Sequence, residues 1–145
     1  MSVGPLQRYC DFFAGISPES LDGLADVMSA DVHFRDPFND VRGLKAVRRV
    51  FEHMFGVCAE ARFEILDAVH GGDRAYIQWR FHFRLRSESN PREPIEGVSR
   101  VVFDSTGRVE EHIDFWDPAS GLYESVPLLG SLLRWLRRRL AAGSG

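Results

Sequence analysis

A chain of 145 residues has the size of one ordinary domain, and its formal net charge of -3 argues against the basic face that nucleic-acid binding requires. Its hydrophobic share of 44% is enough to form a core, and no apolar run reaches the length that crosses a bilayer. Two cysteines, Cys10 and Cys58, are too few for a disulfide scaffold and are expected as buried free thiols in helical segments. The N-terminal residues show no apolar signal region after a basic start, so a cytoplasmic location is predicted.

The first third of the chain predicts helices, because its apolar residues recur with a period of about 3.6. A first helix carries its apolar face at Leu6, Tyr9, Cys10 and Phe13. A second helix is expected to start after the capping residue Ser17, with its buried stripe ending at Met28. The alternating segment from Asp31 to Asp36 predicts a short strand, followed by a loop over 38–43 and a third helix over 44–55.

The chain then alternates with a period of about 2, which is typical of strands. Four strands are expected: Arg62 to Val69, Arg74 to Glu88, Ile95 to Phe103 and Arg108 to Trp116. Helices followed by a meander of strands predict an α+β fold with an antiparallel sheet. The domain is expected to cover 1–121, and 122–145 are expected to form an amphipathic C-terminal helix and tail of the same domain.

The predicted C-terminal helix has an apolar side and a basic end formed by Arg134 and 137–139. Basic residues in a last helical turn are favourable against the helix dipole. Packing against the domain or against a second copy is the favoured interpretation, and contact with a membrane surface is the less favoured one.

Asp36 and Tyr9 are polar residues at positions where the pattern predicts burial. By strand parity, Asp36 lies on the core side, together with the apolar residues Val32 and Phe34. A buried carboxylate must be paired, hydrogen-bonded or neutralised, although an Asp before Pro37 often accepts backbone hydrogen bonds in a turn. Tyr9 lies on the buried face of the first helix, where its hydroxyl needs a partner, either within an ordinary core or within a site.

The last predicted strand places His112 and Asp114 on one face, two residues apart. Such a pair can share a ligand or a proton, and the alternative is an exposed pair on the outer face of the sheet. No third ligand at suitable spacing accompanies the pair, so no metal site is predicted. The sequence also has no nucleotide-binding loop and no Gly-x-Ser-x-Gly motif.

Three segments carry a resemblance to a known family. They are Arg8-Tyr9 in the first helix, Asp31 to Phe38 with its Arg-Asp-Pro-Phe run, and the late hairpin from Arg100 to Trp116. Over about Gln7 to Trp116 the chain resembles the nuclear-transport-factor-2-like superfamily, in particular its SnoaL-like and steroid delta-isomerase (ketosteroid-isomerase-like) group. The resemblance implies a cone in which helices close over a strongly curved antiparallel or mixed sheet and leave a hydrophobic pocket. It also implies a homodimer formed through the sheet face.

The resemblance further implies roles for particular residues. Asp36 occupies the position of the general base of ketosteroid isomerases, and Tyr9 that of a donor to the developing oxyanion. The second oxyanion donor of those enzymes is a protonated Asp, which Ser99 replaces here as a weaker donor. His112 and Asp114 make the late strand more similar to SnoaL-like cyclases.

The expected substrate is therefore a small apolar molecule of steroid or polyketide type, isomerised or cyclised by proton transfer next to a carbonyl without a cofactor. The expected substrate-binding residues surround the four catalytic candidates Tyr9, Asp36, His112 and Asp114, and are Phe13, Phe38, Phe51, Met54, Trp79, Phe81, Ser99, Val101 and Trp116. A non-catalytic binding or protein-association module of the same fold is the alternative. Epoxide hydrolysis is a third reading, for which the Asp-Arg-Asp set is lacking.

Overall fold

A computed structural model describes residues 3–118, Trp135 and 138–141. The helices are α1 (Pro5–Ala14), α2 (Leu24–Val27) and α3 (Leu44–Val57), with a 3-10 turn over Pro18–Gly23. The strands are β1 (Met28–Arg35), β2 (Asp40–Arg42), β3 (Cys58–Gly71), β4 (Arg74–Leu85), β5 (Ile95–Phe103) and β6 (Val109–Phe115). Most of the predicted C-terminal helix lies outside the described residues.

All six strands form one mixed sheet in the order β2-β1-β6-β5-β4-β3. The strands β1 and β6 are parallel, and every other neighbouring pair is antiparallel. Register shifts interrupt the long β3–β4 ladder at two places, and such bulges bend a strand. The prediction of an α+β fold with a curved sheet and N-terminal helices is therefore confirmed.

The helices α1 and α3 cover one face of this sheet. Along β4 the side chains alternate, so that Trp79 and its neighbours at every second position are buried while the intervening ones are exposed or half-buried. Tyr9 and Phe13 of α1 and Val47 and Phe51 of α3 pack into the same core. Burial of these large apolar side chains holds the helices on the sheet.

Three local expectations were wrong. The predicted second helix is a 3-10 turn followed by the short helix α2, and Met28 begins β1 instead. Reciprocal bonds between Ser17 and Ser20 cap the start of the 3-10 turn. Part of the predicted loop over 38–43 is the strand β2, which pairs with β1. Cys58 begins β3 and is not helical, although both cysteines are buried free thiols as predicted.

In the part of the chain that the structure describes, no helix combines the length and apolar character needed to span a membrane.

Candidate functional site

Two adjacent cavities lie between the helices and the inner face of the sheet. The outer cavity has a volume of about 480 Å³, which lies within the range of small-molecule sites. The inner cavity is deeper and measures about 30 Å³, enough for a water molecule. Four residues line both cavities and form the boundary between them: Phe51, Phe63, Trp79 and Asp114.

A continuous chain of hydrogen bonds runs from this boundary into the core. The Tyr9 hydroxyl lies 2.6 Å from Nδ1 of His112, and Nε2 of His112 lies 2.6 Å from Oδ1 of Asp114. The hydroxyl of Ser99 donates to the same Oδ1 and accepts a bond from Nε1 of Trp79 at 2.8 Å. We refer to Tyr9, His112 and Asp114 as the relay.

The protonation of the relay follows from its burial. Burial, followed by the negative charge of Asp114, raises the pKa of Tyr9 well above its ordinary value of 10.0. Tyr9 therefore keeps its proton, and where its hydroxyl donates to Nδ1, His112 carries its own proton on Nε2 and donates to Asp114. The imidazole also stacks on Phe34 with a centroid distance of 4.9 Å, which fixes the plane of the ring.

The sheet register explains why these side chains meet. His112 is paired with Phe34 of β1 across the parallel ladder, and Asp114 is paired with Ser99 of β5. Since paired residues share a face, the pocket side of β6 is flanked by an aromatic ring on one strand and a hydroxyl on the other. The two-residue spacing of His112 and Asp114 puts both of them on that side.

Asp36 follows β1 and reaches the wall of the outer cavity. Its Oδ1 accepts the backbone N–H groups of Phe38 at 2.8 Å and Asn39 at 2.7 Å. The side-chain amide of Asn39 adds bonds of 3.1 and 3.2 Å to the two carboxylate oxygens. Burial, together with a smaller repulsion from Asp114, nevertheless raises the pKa of Asp36. Asp36 is thus both a turn acceptor and a carboxyl group facing the pocket.

Asp36 and Asp114 present a similar arrangement to the outer cavity. In each residue Oδ1 is held by several donors of the protein. Among the described residues, Oδ2 of Asp36 receives only the long bond from Asn39, and Oδ2 of Asp114 receives none. Two carboxyl groups in different surroundings within one apolar pocket can divide the roles of acid and base.

The structure brings most of the predicted residues to these cavities. The outer one is lined by Phe38, Phe51, Met54, Trp79, Phe81 and Trp116, and the inner one by Phe13 and Ser99. Val101 lines neither cavity, because its side chain is completely buried in the core. Tyr9 reaches only the inner cavity, and the Ser99 hydroxyl is engaged with Asp114, so neither is placed as a direct donor to a ligand in the outer cavity.

Sequence reasoning missed Asn39, Phe63 and Phe34 as part of the site. Phe63 lies on the inner face of β3, and the alternation of that strand carried the signal for it. Asn39 fell in a segment expected to be an ordinary loop, where no pattern marks a side chain that orients a carboxylate. Within residues 3–118, no cluster of three or more side chains able to hold a metal ion is present.

Solved structures with the same fold show the type of protein to which this chain is similar. An NTF2-like protein of unknown function from Burkholderia pseudomallei K96243 has a TM-score of 0.72 and 16% identity, over 82% of this chain and 95% of that one. A protein of ketosteroid-isomerase-like fold from Catenulispora acidiphila, in complex with trimethylamine, has a TM-score of 0.70 and 13% identity over 84% and 92%. A protein assigned as a SnoaL-like polyketide cyclase from Jannaschia sp. CCS1 has a TM-score of 0.68 and 13% identity over 83% and 93%.

These identities are low, so the neighbours establish the fold alone. No curated protein matches this chain in sequence. The family model described as the SnoaL-like domain matches residues 7–112, which is well over half of the chain and includes Tyr9, Asp36 and His112. The protein therefore belongs to the SnoaL-like domain family.

Proposed function

We propose that this protein is a small-molecule enzyme of the ketosteroid-isomerase or SnoaL-like type, which moves a proton next to a carbonyl of an apolar substrate without a cofactor. The observation that carries the proposal is the relay, which connects a carboxylate at the pocket boundary to two buried proton-bearing groups. An apolar cavity of about 480 Å³ beside that carboxylate is large enough for a polycyclic substrate.

In this proposal Asp114 is the base. Its Oδ1 is held by His112 and Ser99, so the carboxylate is fixed and Oδ2 is left to accept a proton. Oδ2 takes the proton from the carbon next to the carbonyl, and the electrons of that C–H bond form the enolate. Oδ2 then delivers a proton, either the one it took or one exchanged with solvent, to another carbon of the substrate. His112 and Tyr9 act through Asp114 as positioning residues.

Asp36 supplies the acid of the pair. Burial raises the pKa of Asp36, and in its protonated form the group can donate a hydrogen bond from Oδ2 to the developing enolate oxygen. This division reverses the role of general base that the family resemblance implies for Asp36. The reason is that the buried donors His112 and Ser99 converge on Asp114, whereas the turn around Asp36 lies in a half-buried loop.

Proton exchange tests the proposal without knowledge of the natural substrate. A panel of bicyclic to tetracyclic ketones in D₂O, followed by NMR, reports whether the protein accelerates loss of the α-protons. General acid–base groups contribute about 10²- to 10⁴-fold, so Asp114→Asn is expected to slow the exchange by at least about 100-fold. Glu110→Gln, an exposed carboxylate on the same strand, is the matched control and should leave the rate unchanged. Equal rates for Asp114→Asn and wild type would refute the role of Asp114.

A second candidate is a binding module that performs no chemistry. The observation that favours it is that the polar groups of the site are already hydrogen-bonded to other protein groups. The backbone turn donates to Asp36, and both nitrogens of His112 are bonded, one to Tyr9 and the other to Asp114. The similar protein from Catenulispora acidiphila was solved with a small amine bound, which fits a ligand-binding use of the fold. Binding of a ligand in the outer cavity without any accelerated proton exchange would select this candidate.

A further inference from the structure

The charge of the outer cavity is unbalanced. The carboxyl groups of Asp36 and Asp114 both line it, and neither Lys nor Arg occurs among its described lining residues. His53 is the one basic side chain in that described lining, and it is exposed to solvent. An ionised carboxylate in apolar surroundings is costly unless a positive charge or several donors compensate it.

The two carboxyl groups are also close enough to interact. Asp36 and Asp114 line the same cavity, and the charge of Asp114 is the smallest of the causes that raise the pKa of Asp36, after burial. Each carboxylate has its Oδ1 saturated by the protein, and among the described residues each Oδ2 is engaged weakly or not at all. A positive group between the two Oδ2 atoms would interact favourably with both of them.

The walls of the cavity are aromatic, which suits a cation with a hydrocarbon surface. Phe34, Phe51, Phe63 and Trp79 surround the Asp114 end, and Phe38 and Trp116 pack edge to face with ring centroids 5.5 Å apart beside Asp36. The faces of aromatic rings attract ammonium groups, and Trp does so most strongly. A bare metal ion does not fit, because no group of three or more ligand side chains is assembled to hold one among the described residues.

An acidic ligand is disfavoured by the same features. A carboxylate placed in this cavity would meet two acidic side chains, with no Lys or Arg side chain in the described lining to pair with. A neutral ligand would pack against the apolar walls but would not offset the repulsion between Asp36 and Asp114.

We propose that the outer cavity is a binding site for organic cations, in which an ammonium group lies between Asp36 and Asp114 and an apolar body packs against the aromatic walls. The inference concerns binding and does not depend on the proton transfer proposed above. A bound cation would occupy the space of a ketone, so it would act as a competitive inhibitor of any ketone exchange.

Isothermal titration calorimetry at pH 8 with three ligands that share a 2-naphthylmethyl body tests this inference. The ligands are (2-naphthylmethyl)trimethylammonium, 2-naphthalenemethanol and 2-naphthylacetate. The ammonium compound is expected to bind at least about tenfold more tightly than the alcohol, and the carboxylate more weakly than both. An alcohol or carboxylate that binds as tightly as the ammonium compound would overturn the inference, and so would the absence of binding by all three.

Substitutions locate the site. Asp36→Asn and Asp114→Asn should each reduce the preference for the ammonium compound over the alcohol by about threefold or more, because each removes one charge that faces the ligand. Glu96→Gln is the control and should keep the full preference for the ammonium compound. Glu96 lies on a strand that contributes to the cavity wall, but its carboxylate is paired with Arg80. If the ammonium compound binds as expected but no ketone exchanges protons, the binding inference stands and the proposed enzyme function fails. If ketones exchange protons but the ammonium compound shows no binding preference, the proposed enzyme function stands and the binding inference fails.

Discussion

The indole ring of Trp79 lies directly over the backbone of Gly97 on the neighbouring strand. The two residues are paired across β4 and β5, and a methyl group added to Gly97 would come within 2.5 Å of the ring. This close approach lets Nε1 of Trp79 reach the Ser99 hydroxyl, which in turn donates to Asp114. Glycine at position 97 therefore fixes one wall shared by both cavities.

Gly97→Ala is expected to destabilise the protein by about 1–3 kcal/mol, because the added methyl group overpacks the contact with the Trp79 ring. The ring must tilt, and its hydrogen bond to Ser99 is lost. Urea denaturation measures the loss, and a shift in tryptophan fluorescence reports the movement of the ring. Gly56→Ala in α3 is the matched control, since its added methyl group meets no atom within 4 Å and alanine favours a helix. A Gly97→Ala protein as stable as wild type would contradict the prediction.

Tyr9→Phe removes the only hydroxyl that Nδ1 of His112 contacts within the described structure. A buried nitrogen without its donor costs about 1–3 kcal/mol, so the variant should lose stability in that range. Because Tyr9 does not line the outer cavity, the affinity of a ligand bound there should be nearly unchanged.

Nitrogen-15 NMR of the histidine side chains distinguishes this prediction from a simple loss of packing. In the wild type, His112 should carry a proton on Nε2, which faces Asp114, while Nδ1 faces the Tyr9 hydroxyl. In Tyr9→Phe that preference weakens and a mixture of protonation states is expected. An unchanged His112 spectrum would show that Tyr9 does not set the tautomer.

Local patterns in the sequence predicted the faces of strands, but not which strands become neighbours. The two-residue spacing of His112 and Asp114 was enough to place them on one face. The parallel pairing of β1 with β6, which brings Phe34 onto the His112 ring, depends on packing between segments far apart in the chain. The Tyr9–His112 bond spans 103 residues and could not be derived from periodicity.

The homodimer expected from the sequence is predicted to form through the outer face of the sheet. Tyr76 and Phe115 lie on that face with exposures of 41% and 48%, amid alternating charged side chains. We expect the protein to sediment as a dimer, and Tyr76→Glu to shift it toward the monomer, because a charge would be buried in the interface. Val3→Glu, which changes a similarly exposed apolar residue ahead of α1, should leave the dimer intact. A monomeric wild type at micromolar concentration would contradict this expectation.

Asp36 and Asp104 are expected to affect stability with opposite dependence on pH. Burial raises the pKa of Asp36 in the folded protein, whereas the hydroxyl of Thr106 and backbone donors lower that of Asp104. The contribution of Asp36 is therefore present below its unfolded pKa near 3.8 and is lost as the pH rises through the folded pKa. The contribution of Asp104 is present above 3.8 and is lost as the pH falls through its lower folded pKa.

Asp36→Asn should accordingly gain stability relative to wild type between pH 3 and pH 7, and Asp104→Asn should lose it over the same interval. Urea denaturation of the three proteins at several pH values measures both slopes, and each variant serves as the control for the other. Parallel slopes for the two variants would mean that the turn amides of Phe38 and Asn39 outweigh burial at Asp36. Asp36 would then be a stable carboxylate at neutral pH, and it could not supply the acid of the proposed pair.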